Sequence, residues 1–270
     1  MSFPPAVLVF SASDPSCGAG LQADILTLAA LGAHPLCAVT ALTVQDTAGV
    51  VRVAPTPAEL VRQQAETVLA DIPVAAFKTG VLGSAENARA AAEVMAAFPD
   101  IPLVLDPVLA SGRGDALADA GLRAVLRERL LPRATLITPN LPEAYRLLES
   151  EAPAAPEEPV ALVSTALATK LMALGARHVL ITGTHAPTEA VINRLYGARG
   201  LIGENRWPRL PESYHGSGCT LASAIAAHLA LGHSLEEAVN LGEAYAWQTL
   251  AHGFKPGRGQ WLPNRLFRHA

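Results

Sequence analysis

The sharpest chemical signal in the sequence is YHGSGCTLASAIAAHLA, residues 214–230. Gly216 and Gly218 let the chain turn tightly and bring backbone N–H groups close to a ligand. The amphipathic helix that should begin near Cys219 adds unpaired donors and the positive end of its dipole. Gly216, Ser217 and Gly218 are therefore candidates for an anion hole suited to a phosphoryl group in transfer. The same field is expected to lower the pKa of Cys219 and favour its thiolate. A glycine-rich helix start with a buried structural cysteine would account for the same residues. A second glycine-containing turn, SASDPSCGAGLQAD (11–24), also leads into a helix. It does not have GxGxxG spacing, so it gives dinucleotide binding weak support. Asp24, at Gly20 plus four, reads most simply as a carboxylate opposing a helix dipole.

Two further segments, DPV (106–108) and TPNLPEA (138–144), place carboxylate or carboxamide groups beside strand ends. Asn140 and Glu143 are three apart and share a helix face. A carboxylate near a phosphate usually needs a cation between them, and Mg²⁺ held through waters would serve. Asp106 and Glu143 are the candidate metal residues. A helix cap at Asn140 with Glu143 as its capping-box partner explains the same pair and is compatible with a metal site.

The elements that must carry these residues follow from the apolar pattern. Short runs at 6–11, 35–42, 74–80, 102–108, 134–140 and 178–184 alternate with Ala/Leu-rich stretches of helical spacing. Runs that are apolar throughout indicate strands buried on both faces. Strand–helix repeats of this kind predict an α/β fold with a mainly parallel sheet flanked by helices. In such sheets ligands gather at the carboxyl ends of the strands. There lie Ser13 and Asp14, Gln45, Lys78 to Gly80, Asp106, Asn140 with Glu143, and Thr182 to His185. Residues 43–55 read as a loop and short strand over one end of the sheet, and 189–210 as a β-hairpin turning at Gly197–Gly200. The Pro/Glu-rich stretch 151–159 reads as an exposed loop inside one domain spanning 1–270. His34, His228, His233, His252 and His269 lack ligand spacing, and Trp207, Trp247 and Trp261 read as packing anchors.

Composition narrows the class. The 270 residues are 50% hydrophobic and 16% charged, enough apolar surface for a sizeable core. The net charge is −4 and no Lys/Arg cluster occurs, which disfavours a nucleic-acid partner. Cys17, Cys37 and Cys219 are odd in number and widely spaced, which argues against a disulfide framework. The N-terminal apolar run is too short for a signal peptide or membrane span. A cytoplasmic protein is the expectation.

Taken in order, SASDPSCGAGLQADILTLAALGAH, TALTVQDTAGV, KTGVLGS, VLDPVLASG, LLPRATLITPNLPEA, LGARHVLITGTH and HGSGCTLASAIAAHLALG resemble the hydroxymethylpyrimidine/phosphomethylpyrimidine kinases of thiamine biosynthesis. The resemblance runs from about residue 6 to 250 and rests most on the Cys of HGSGCT. It implies a three-layer αβα ribokinase-like fold, Mg-ATP as phosphoryl donor, and a homodimer. One site would phosphorylate the hydroxymethyl alcohol and then the resulting monophosphate. By resemblance Gln45 binds the pyrimidine and Ala12, Val44, Val81 and Val108 line its pocket, with Asp24 counted among the substrate residues. Gly216, Ser217 and Gly218 form the anion hole, and Cys219 acts as general base or assists the attacking hydroxyl. Asp106, Asn140 and Glu143 organise Mg-ATP, while Thr182, Gly183 and Thr184 approach the nucleotide.

The sequence departs from that family in places. Thr182-Gly183-Thr184-His185 stands where Lys-Gly-Gly-His is usual, so the phosphate-binding lysine that the resemblance implies is missing, and Arg113 or another cation is a candidate replacement. Ala12 and Cys17 stand for glycines, and Val81 for Met. Pyridoxal kinase activity is the rival enzyme reading, and a pyrimidine-binding protein without catalysis is the rival class.

Overall fold

The computed structural model describes residues 3–110, 117–150 and 159–269, so most of the 151–159 loop and Arg113 lie outside the described residues. Six strands form a parallel centre: β1 (Ala6–Ser13), β2 (His34–Asp46), β4 (Val74–Thr79), β5 (Leu103–Leu105), β6 (Leu136–Ile137) and β7 (Val179–Ile181). An antiparallel strand, β3 (Gly49–Pro55), closes one edge against β2. The antiparallel hairpin β8 (Ala190–Gly197) and β9 (Gly200–Pro208) closes the other edge. The sheet order is β3-β2-β1-β4-β5-β6-β7-β8-β9.

Strand side chains are buried alternately into two cores. Leu8, Phe10, Phe77, Leu105 and Ile137 pack with residues of α2 (Ala58–Asp71), α3 (Ala85–Ala96), α4 (Ala120–Val125), α5 (Leu141–Leu147) and α6 (Val160–Ala173). Val7, Val9, Ala76, Val104 and Leu180 pack with α1 (Gly20–Ala30), α7 (Ser217–Ala230) and α8 (Leu235–Ala251). Burial on both faces is why the strand runs lack polar alternation, and the result is a three-layer αβα architecture.

One expectation changes. Residues 43–55 are not a loop with a short strand: β2 continues to Asp46 and pairs with β3 from Ala41↔Pro55 to Asp46↔Gly49. The connecting turn lacks an Asn-Gly signal. Instead Asp46 Oδ1 accepts from the amides of Ala48 at 2.7 Å and Gly49 at 3.1 Å, an Asx turn that the residue pattern does not announce. The hairpin expected at 189–210 is present and turns at Gly197↔Gly200.

Candidate active site

The parallel strands end on one side of the sheet, and a cavity of about 540 Å³ opens there. Its floor is the start of α7. Gly216 caps that helix at φ 86, the left-handed region, and no side chain occupies the cap. A Cβ on Gly216 would collide with the carbonyl oxygen of Gly18, so the turn requires glycine for conformation and for clearance. Gly216, Ser217, Gly218 and Cys219 all line the cavity, and the first amides of α7 are left free of side-chain caps. The 14–20 turn leans against this one. Asp14, almost fully buried, accepts from Ser16 N at 2.8 Å, Ala19 N at 2.7 Å and His215 Nε2 at 2.9 Å. Burial opposes its charge, but these donors hold the Asp14 carboxyl below the usual carboxylate range.

The thiolate expected at Cys219 is not supported. Cys219 is 8% exposed, and burial pushes its thiol up to about 12. Asp106 and Asp24 add to this, and Lys78 opposes them. The dipole of α7 acts on Cys219 only as one contribution among several. Tertiary structure brings two carboxylates and a dry environment to the same place, and they outweigh the dipole.

Asp24 is also reassigned. It neither lines the cavity nor sits in the first turn of α1. Its Oδ1 accepts from Lys78 Nζ at 2.9 Å and from Ser223 Oγ at 2.6 Å. Lys78 is wholly buried, with Asp106 Oδ2 at 4.0 Å as its second counter-charge. Burial works against the ammonium, yet Asp24, the Cys219 site and Asp106 hold its pKa above the usual lysine value.

Asn140 and Glu143 form the expected capping box: the Glu143 amide donates to Asn140 Oδ1 at 2.9 Å, and the Asn140 amide donates to Glu143 Oε2 at 3.0 Å. Both also line the cavity, as does Asp106. Burial, then repulsion from Asp106, pushes the Glu143 carboxyl up to about 8, and burial raises Asp106 to about 6. Asp106 Oδ2 is buried without a hydrogen-bond partner. Two repelling buried carboxyls, one with an oxygen that accepts no hydrogen bond, fit a divalent cation. No three His, Cys, Asp or Glu groups converge as a cage among the described residues, so the fit is to an ion that keeps waters and phosphate ligands.

Thr182 and Thr184 line the next wall, with His185. Gly183 does not: its N–H donates to Asn193 Oδ1 at 2.9 Å and its Cα faces the Ile192 backbone. Among the described residues the cation at this wall is Arg209, which donates to the carbonyls of Thr184 at 2.8 Å, Ala186 at 3.0 Å and Thr188 at 2.9 Å. Beyond it Trp207 and Trp247 stack with centroids 6.0 Å apart, and both line the cavity. They are therefore wall residues as well as packing anchors.

At the opposite end Ala12, Thr43, Gln45, Val81 and Val108 line the cavity. Gln45 Nε2 donates to Thr43 Oγ1 at 2.7 Å, and Thr43 Oγ1 donates to the Ser13 carbonyl at 2.8 Å, which holds the carboxamide over the pocket. Val44 does not line it. Strand alternation sends Val44 to the outer face, 46% exposed.

The family profile described as phosphomethylpyrimidine kinase matches residues 14–264. The chain belongs to the phosphomethylpyrimidine kinase family. A hydroxymethylpyrimidine/phosphomethylpyrimidine kinase from Streptomyces coelicolor is 41% identical over 260 residues, 95% of this chain and 92% of the relative. Among solved structures, a phosphomethylpyrimidine kinase from Clostridium difficile superposes with a TM-score of 0.77 at 32% identity over 91% of this chain and 99% of its own. The ADP complex of a pyridoxal kinase from Bacillus subtilis superposes with a TM-score of 0.88 at 28% identity, over 99% of this chain and 100% of its own. The fold is ribokinase-like, and the protein is a small-molecule kinase of the phosphomethylpyrimidine kinase family. No helix among the described residues is long and apolar enough to cross a membrane.

Several residues of this kinase site escape sequence reasoning. The Asp14–His215 contact joins residues 201 apart, so no local spacing could announce it. Lys78 stands in a noted motif, but its burial could not be read from KTG. Arg209, and Glu243, which lines the cavity and accepts from Trp207 Nε1 at 2.8 Å, sit in segments whose pattern speaks only of strand and helix.

Proposed function

We propose that this kinase transfers the γ-phosphoryl group of ATP to the hydroxymethyl group of 4-amino-5-hydroxymethyl-2-methylpyrimidine, and then to the monophosphate so formed. The observation that carries this reading is a cysteine directly after the glycine anion hole, in one cavity with Gln45 at the far wall. Gln45 can present both a donor and an acceptor to a ring edge, which suits an aminopyrimidine. Ala12, Val81 and Val108 supply the apolar walls. The amides of Gly216, Ser217 and Gly218 face the phosphoryl group in transfer, where pre-organised donors are worth about 3–4 kcal/mol each.

Asp106 and Glu143 would hold Mg²⁺ through waters, with Asn140 fixing Glu143; the ion would neutralise charge on the transferring phosphoryl group. Cys219 rests as a thiol. As the attacking hydroxyl loses its proton to Sγ, the thiol proton passes to Asp106, whose carboxyl near 6 is ionised at neutral pH. Thr182, Thr184 and Arg209 form the nucleotide wall. The outer face of β2 and β3, with Leu42, Val44 and Val51 exposed, supports the homodimer expectation.

Likeness to pyridoxal kinases favours one second reading, phosphorylation of the hydroxymethyl group of pyridoxal. Purified protein with Mg-ATP is given each acceptor, and products are resolved by mass. Expected are mono- and diphosphate of the pyrimidine, with kcat/KM above that for pyridoxal. A higher kcat/KM for pyridoxal overturns the assignment, and no turnover of either overturns both.

A further inference from the structure

The C-terminal segment sends a buried arginine into the back of the phosphoryl-transfer turn. Arg265 is 4% exposed, and its guanidinium makes three hydrogen bonds there. Nη2 donates to the Gly18 carbonyl at 2.5 Å and Nη1 to the Cys17 carbonyl at 3.3 Å. Nε donates to Thr220 Oγ1 at 3.0 Å, and that hydroxyl donates onward to the Gly216 carbonyl at 2.8 Å. One side chain thus holds both sides of the contact where Gly216 rests on the Gly18 carbonyl. The acceptors are neutral oxygens, and no described carboxylate is ion-paired with Arg265. The arginine is itself fixed: Tyr245 Oη donates to its carbonyl at 2.7 Å, and the Asn264 amide donates to the Thr249 carbonyl at 2.9 Å.

A buried guanidinium is costly unless its nitrogens find acceptors, and here each of the three donates to backbone or a hydroxyl. Its bonded partners are neutral, and although Asp24 and Asp14 act on it from a distance, its charge sits behind the start of α7 and adds to the dipole there. Resting on the reading of residues 216–219 as the anion hole, we propose that Arg265 is a positioning residue for phosphoryl transfer: it sets the spacing of the Gly18 and Gly216 turns and places a fixed positive charge behind the hole. Arg265 reaches the phosphoryl group only through Thr220 and the turn, so it contributes to the rate and not to acceptor binding.

The test compares R265M, R265K and G216A in the full chain, with acceptor affinity by calorimetry and steady-state kinetics. R265M should lower kcat by roughly 30- to 100-fold, as misplacement by about an ångström does. The pyrimidine KM should stay within about twofold, since the loss is confined to the transition state. R265K, which keeps charge but not the fork, should fall between, and added guanidinium ion should restore part of the R265M rate. Wild-type kcat in R265M overturns the proposal. So does loss of kcat and acceptor affinity together in R265M and R265K alike, with no guanidinium rescue, because that marks a scaffold role. Should R265M not fold, R265K decides: a lowered kcat at wild-type KM is expected, and an unchanged kcat overturns. G216A separates the two readings. If it turns over normally, the anion-hole reading fails; if it is inactive while R265M is not, only the Arg265 proposal fails.

Discussion

Cys219 and Glu143 show how far an environment can move a side chain from the chemistry its type suggests. The thiol, pushed up to about 12, is protonated at neutral pH, so its reactivity toward alkylating agents should be low. Iodoacetamide at pH 7.5 should label Cys17, which is exposed, well before Cys37 or Cys219. Peptide mapping showing Cys219 labelled first would mean a preformed thiolate. Cys219→Ala should lower kcat roughly a hundredfold or more while leaving pyrimidine affinity intact, the magnitude expected for a lost proton-transfer group. Full activity in that variant would remove Cys219 from the mechanism. Glu143 titrates in the opposite sense to most carboxylates. Folded, it keeps its proton to about 8; the ordinary glutamate value is 4.5. The folded state binds the extra proton between these values, so stability falls as pH rises. Asp106 adds the same slope only up to about 6, leaving the window from about 6 to 8 to Glu143. Urea midpoints of the nucleotide-free protein should therefore decline from pH 6 to 8 in the wild type and flatten in E143Q, whose amide can keep the capping box. An equal decline in both would locate the proton elsewhere. The capping box was legible from residue spacing, but this titration was not, because Asp106 lies 37 residues away in sequence.

At the scale of elements, the hairpin of β2 and β3 decides which residues meet the acceptor. Its twofold period puts Thr43 and Gln45 on the cavity side and Val44 on the outside, a division fixed once residues 43–46 are strand. Q45A should raise the pyrimidine KM by about 5- to 100-fold, since a lost hydrogen-bonding partner leaves a ring edge unpaired at about 1–3 kcal/mol. V44A should leave it within about twofold. Acceptor titrations at saturating ATP check both, and a larger effect from V44A than from Q45A would invert the assignment. The parallel centre and the 189–210 hairpin were readable because apolar runs and the glycine turn are local signals. This second hairpin was not, because its turn is closed by the Asp46 carboxylate and its outer face carries apolar residues that blur the alternation.

For the whole molecule, the decisive feature is a charge cluster that ties the α1/α7 helical layer to the sheet beneath the site. Asp24 belongs to α1 and Ser223 to α7 on one face, Lys78 to β4 within the sheet, and Asp106 follows β5 at the cavity floor. The layered fold could be read from the alternation of strands and helices. That Asp24 and Lys78 are partners could not, because they are 54 residues apart and each has a simpler local meaning. Pairing two charges in a dry interior stabilises little by itself, yet removing one partner strands the other, at about 3–5 kcal/mol. K78M should therefore lose about that much in urea unfolding, because Asp24 and Asp106 are left without their cation and Asp24 Oδ2 already lacks a hydrogen bond. D24N alone should cost less, since Ser223 can still donate to the amide oxygen. The double variant D24N/K78M should recover part of the K78M loss, as neutral replacement of both partners does elsewhere. If the double variant instead shows the sum of the single losses, Asp24 and Lys78 act independently. The layers would then be joined by apolar packing alone, and the position of Asp106 would not depend on the Asp24–Lys78 pair beneath it.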